Sequence, residues 1–62
     1  MDTKDWGKTI SYIRKNKNIP IKQVIGEKIT RSAYSRFASG QTNTSIDNFF
    51  FFMNNLHINF EE

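Results

Sequence analysis

The sequence predicts an all-α fold, a compact bundle of four to five short helices forming one domain over residues 1–62. Three observations lead there. Apolar residues recur at three- and four-residue spacings in several segments, the period of a helix with one buried face. Ser, Thr, Asn, Gly and Pro stand at the starts and stops of those segments. The chain has no Cys and a single His, so neither a disulfide nor a zinc site can staple so short a domain and apolar packing must hold it. At 37% hydrophobic and 15% aromatic, the chain has the material for such a core.

Each element follows from local chemistry. From Asp5 to Lys17, the residues Trp6, Ile10 and Ile13 fall near one face while Lys8 and Lys15 point away, with Asp2 or Thr3 available as a cap. Asn16 and Asn18 mark a turn. Pro20 suits the first position of a short second helix ending near Ile25, and Gly26 stops it. Thr30 is an N-cap for a third helix, Arg31 to Ala38, in which Tyr34 and Phe37, with Ile29 just before it, point inward. Arg31, Ser32, Ser35 and Arg36 are left on its open face, and Ser39-Gly40 ends it.

After a polar loop from Gln41 to Thr44, Ser45 caps a fourth helix running from Ile46 to about Leu56. At 100° per residue its buried face reads as Ile46, Phe49, Phe50, Met53 and Leu56, with Phe52 at the border and Phe51 exposed. Asn59-Phe60-Glu61-Glu62 has the form of an N-cap followed by an acidic first turn. A helix start without a body leads to the expectation that the chain is the N-terminal fragment of a longer protein, the alternative being a natural short chain with a frayed tail.

The net charge of +3 conceals an asymmetry. Lys8, Arg14, Lys15, Lys17, Lys22, Lys28, Arg31 and Arg36 lie between Trp6 and Phe37 with Glu27 as the one carboxylate among them. Beyond Phe37 there is no Lys or Arg, only Asp47, Glu61 and Glu62. A basic segment joined to an acidic one is the electrostatic footprint of a polyanion binder. The absence of Cys suits a reducing, cytoplasmic setting. Asp2, Lys4 and Asp5 interrupt any apolar run near Met1, and the apolar stretch from Phe49 to Met53 is far shorter than a membrane span.

Catalytic constellations are not found. His57, between Leu56 and Ile58, has no nucleophile–carboxylate spacing around it, and Gly7, Gly26 and Gly40 are isolated rather than gathered into a phosphate-cradling loop. No catalytic, cofactor or metal residue is expected. The segment from Pro20 to Ala38 is the informative one: a short helix, a tight turn and a helix with a polar, basic outer face form a helix-turn-helix pattern. Such a second helix fits the major groove of duplex DNA, about 12 Å wide. Arg31 and Arg36 both reach the groove if the helix enters obliquely, and the arginine fork can bridge guanine O6 and N7. Ser32 and Ser35 can bond bases or phosphate.

The chain resembles the Xre/Cro-type, lambda-repressor-like helix-turn-helix domains of bacterial and phage regulators. The likeness is carried by Trp6-Gly7-Lys8-Thr9-Ile10, Ile13-Arg14, Ile19, Val24, Ile29-Thr30-Arg31-Ser32, Ser35-Arg36-Phe37, Gly40, and Ser45-Ile46 through Leu56-His57-Ile58. More narrowly, Ser32-Ala33-Tyr34-Ser35-Arg36-Phe37 with Gly40, Ile46, Phe49 and Leu56-His57-Ile58-Asn59 looks like the Rgg-like, pheromone-responsive (quorum-sensing) regulators. The resemblance implies a third helix reading operator DNA through Arg31, Ser32, Ser35 and Arg36. Lys17, Lys22, Ser39 and Gln41 would approach phosphate. It further implies a homodimer held mainly by a C-terminal domain that binds a short peptide.

The chain departs from that pattern in four places. Ile21 stands where a phosphate-clamping Gln is usual, Ile25 where Ala is usual, and Ser39 where Asn is usual. Ala38 replaces an acidic residue that in relatives pairs with the arginine equivalent to Arg14. Arg14 is therefore expected to reach solvent, or another acceptor such as a helix C-terminal carbonyl, with a DNA phosphate as the remaining option. Exposed Phe51 marks either a docking surface for a dimer partner or a further domain, or a lone surface Phe. The rival reading from a different class is a protein-interaction module using the Phe-rich fourth helix, without DNA binding.

Overall fold

The computed structural model describes residues 3–58, all of them helical or in loops and turns. A 3₁₀ turn, Thr3–Trp6, leads into α1 (Gly7–Asn16), followed by α2 (Ile21–Ile25), α3 (Arg31–Ala38) and α4 (Ile46–Asn55). The helix start read at Asn59 lies outside the described residues. α1 packs on α3, and α2 packs on both α3 and α4, so the four helices enclose one core. Eight side chains form its centre: Ile10, Ile19, Val24, Ile25, Tyr34, Phe37, Phe52 and Leu56. Phe52 is its hub, stacked on Phe37 at 5.6 Å between ring centroids and edge-on to Tyr34 at 5.5 Å.

The helix starts show why these residues form these elements. The Thr30 side chain accepts the Ala33 N–H at 3.1 Å, and the Ser45 side chain accepts the Asn48 N–H at 3.1 Å. Each satisfies one of the donors a helix leaves open at its first turn. Pro20 occupies the position before α2 rather than its first residue, with extended backbone.

Three helices stop by one device. Asn18, Gly40 and His57 adopt left-handed backbone with φ of 57°, 85° and 61° just past α1, α3 and α4. The amides of Ile19, Gln41 and Ile58 then bond back to the carbonyls of Arg14, Arg36 and Met53. In two of these turns the next residue is Ile, which the reversal delivers to the core: Ile19 is buried and Ile58 packs against the buried cluster. At the end of α2, Gly26 has φ 57° and ψ −138°, a region closed to side chains, and a Cβ there would press on the Phe51 ring.

Two sequence expectations are corrected at the N-terminus. The first helix is not continuous from Asp5, because residues 3–6 wind as 3₁₀ with three residues per turn. Trp6 stays beside Ile10 but is 41% exposed, and it meets Phe49 edge-on at 6.4 Å. Thr3 does not cap the helix, and Asp2 lies outside the described residues. The buried Thr3 hydroxyl instead donates to the Thr44 carbonyl and accepts the Thr44 amide, both at 2.7 Å. The Lys4 amide donates to the Asn43 side chain at 2.8 Å, so this turn is fastened to the loop before α4.

The fourth helix is rotated from its expected setting. Ile46 and Phe50, expected inside, are 54% and 51% exposed; Phe52, expected at the border, is fully buried. Phe51, expected outside, packs against the core with the Lys28 ammonium 4.8 Å above its ring. The run Phe49 to Met53 is apolar around most of the helix, so periodicity fits more than one rotation. The neighbour decides: Asn55 donates to the Val24 carbonyl at 2.9 Å, and this bond, with Phe51 against Gly26, turns α4 toward α2.

Candidate nucleic-acid interface

α3 lies across the molecule with Tyr34 and Phe37 buried beneath it and Arg31, Ser32, Ser35, Arg36 and Ser39 exposed along its outer side. The Thr30 cap and the α1 and α2 contacts fix its rotation, so these side chains share a face because their helix-mates are anchored. Five residues at 100° each separate the two arginines by about 140° around the axis. Arg36 lies on the side of the 42–45 loop and Arg31 on the opposite flank of the outer face, with Ser32 and Ser35 between them. Arg36 also lines a cavity with Thr42, Asn43 and Asn48. Its guanidinium donates to the Ser32 hydroxyl at 3.2 Å, which lays the side chain back along the helix.

The residues expected to approach phosphate are divided. Lys17 at the end of α1, Lys22 in α2 and Gln41 after α3 are all exposed. Ser39 is exposed too, but its hydroxyl is spent on the Arg36 carbonyl at 3.1 Å, closing the end of α3. Lys28, basic and exposed, is held over Phe51 on the α4 side of the molecule.

Arg14 is half-buried, and its guanidinium donates to the Ile19 carbonyl at 3.0 Å in the loop between α1 and α2. The acceptor is thus a loop carbonyl rather than a helix-end one. Its Nε–H and the Tyr34 hydroxyl are both buried without an aligned hydrogen-bond partner. The two groups are nonetheless neighbours. Burial raises the Tyr34 pKa above its ordinary value, and Arg14, first through a side-chain contact of hydrogen-bond character and then through its charge, pulls against that rise. Sequence spacing gave no sign of this pair; it forms only because α1 and α3 pack together.

Elsewhere, exposed His57 meets Gln23, its Nε2 3.4 Å from the Gln23 side-chain nitrogen, at the close of α4. Among the described residues no group of three His, Cys, Asp or Glu could hold a metal ion. Among the described residues no helix is long and apolar enough to cross a membrane. A separate apolar groove of about 290 Å³ runs between α1 and α4, lined by Trp6, Ile10, Ile13, Phe49, Met53 and Ile58. Comparison with family models, curated proteins and solved structures returns no match for this chain.

Proposed function

We propose that this chain is the sequence-specific DNA-binding domain of a cytoplasmic transcription regulator, acting as half of a homodimer with α3 in the major groove. The observation that carries the reading is the outer face of α3. Arg31, Ser32, Ser35 and Arg36 are exposed together on a helix capped at its start and anchored by Tyr34 and Phe37, with Lys17 and Lys22 on the preceding elements. A rigid helix with two arginine forks and two hydroxyls between them can bond base edges on either side of its axis. The resemblance to Xre/Cro-type and Rgg-like domains supports the same assignment, and the α2–turn–α3 segment is the helix-turn-helix of that reading. In this reading α2 lies over the backbone, and the dimer holds two half-sites one helical turn apart.

The test is selection of a preferred duplex from a random pool, followed by Arg36→Ala. The variant is expected to lose ~1–3 kcal/mol on the selected sequence and to blur preference at one base pair. An equal loss on selected and scrambled duplexes sinks the base-reading role.

One observation favours the interaction-module reading: exposed Ile46 and Phe50 on α4, beside the apolar groove, form a surface suited to another protein. That reading makes Phe50, not Phe51, its contact residue. It expects little binding to random duplex DNA even at low ionic strength, which a salt titration decides.

A further inference from the structure

The backbones of α1 and α4 stay apart where those of α1 and α3 close together, and the seam between them is the apolar groove of about 290 Å³. Its lining presents no polar surface. Ile10 forms a buried floor, while Ile13, Phe49, Met53 and Ile58 are half-buried and Trp6 is exposed. Folding has gathered these side chains without covering them, which is unfavourable in water. What covers them is bounded by the sequence. Ile58, part of the lining, is followed by Asn59-Phe60-Glu61-Glu62, which lie outside the described residues. Two residues span at most about 7 Å, so Phe60 is within reach of the groove. An apolar cavity of about 150 Å³ holds benzene, so this one has room for a phenyl ring and the short chain that carries it. Met1 is the other apolar residue outside the described part; it precedes Thr3, which is fastened to Thr44 and takes no part in the lining.

We infer that the groove is the docking site of this chain's own Phe60, whose ring seats between α1 and α4 against Ile13 and Met53 and closes the seam. The order of residues suits this. In an extended stretch Ile58 and Phe60 fall on one side and Asn59 and Glu61 on the other, so the apolar pair turns to the groove and the carboxylates stay in water. The wall is made for such an occupant, since a ring without polar atoms leaves nothing unsatisfied against it. No residue of α3 lines the groove, so the docking is independent of what binds the outer face of that helix and rests on neither functional reading.

The deciding measurement is made on the unaltered chain, by nuclear Overhauser contacts between the Phe60 ring protons and the methyl groups of Ile13 and Met53. They are expected within one molecule, with the Met53 methyl signal displaced by the ring current of Phe60. Absence of these contacts overturns the docking and leaves the groove open. Contacts seen only between labelled and unlabelled chains in a mixture overturn it too, because the occupant is then a second copy. Trp6, the one tryptophan of the chain and part of the lining, gives a second readout. Phe60→Ala is expected to move its emission to the red, to open it to acrylamide quenching and to abolish the Met53 displacement. Glu61→Gln, which keeps the ring, is expected to leave all three as in the parent. Should Phe60→Ala fail to fold, the contacts in the unaltered chain still decide. The test uses no DNA, so its failure leaves the proposed function untouched.

Discussion

At the scale of single residues, polar side chains divide into those bonded within their own turn, such as Thr30 and Ser45, and those joined across the fold, such as Thr3 and Arg14. Thr30 and Ser45 were legible as caps because a cap needs only a hydroxyl one residue before a helix. The Thr3–Thr44 pair and the Arg14–Tyr34 neighbours were not, since they join residues 41 and 20 positions apart. Tyr34 allows a clean test. Its hydroxyl is buried without an aligned partner, so Tyr34→Phe removes a group that contributes little; stability near pH 7 is expected to change by less than about 1 kcal/mol. Alkali separates the two proteins. Burial raises the folded-state pKa of Tyr34, so folding hinders loss of its proton. The associated stability is intact below the ordinary tyrosine value of about 10 and is lost as pH rises through the raised value. Between about pH 10 and the raised value, urea unfolding is expected to show a steeper decline for the parent chain than for Tyr34→Phe, and parallel declines there would contradict the assignment.

At the scale of elements, the order of the helices and the bounds of α3 and α4 were readable, and the start of α1 and the rotation of α4 were not. Four consecutive Phe residues followed by Met give a helix no single apolar stripe, so the side that faces inward is chosen by α2 through Asn55 and Phe51. The consequence is a pair of opposite outcomes from neighbouring, chemically identical residues. Phe52→Ala removes the ring shared by Phe37 and Tyr34 and is expected to cost about 3–5 kcal/mol, enough to unfold a domain this small. Phe50→Ala, at a position 51% exposed, is expected to stay within about 1 kcal/mol of the parent in thermal denaturation. The reverse order would restore the rotation read from periodicity alone. Gly7 makes a comparable statement about α1 and α3. A Cβ there would fall on the Phe37 carbonyl oxygen, so the helices approach as closely as they do only because that side chain is missing. Gly7→Ala is expected to destabilise by about 3 kcal/mol, measured by urea unfolding, although alanine is the better helix former. Nothing in the local sequence distinguished this glycine, because its constraint is imposed by the far end of another helix.

At the scale of the whole molecule, the charge asymmetry read along the chain becomes a question of which cations face a common partner. Helical order does not keep sequence neighbours on one side. Lys22 and Lys28 are six residues apart and both exposed, yet the second is drawn back over Phe51 on α4 while the first remains on α2 beside the α3 face. Net charge alone treats them as equal. A duplex seated on α3 does not, because only cations that meet phosphate release counterions, each steepening the fall of log K with log salt by about 0.9. Lys22→Ala is therefore expected to flatten the salt slope on random duplex DNA by about that amount and to weaken selected and random sequences alike. Lys28→Gln removes the same formal charge and is expected to leave the slope unaltered, costing at most about 1 kcal/mol of stability through the lost ring contact. Equal flattening by both variants would mean that the duplex senses only the overall charge, and α3 would lose its claim to be the surface that orients it.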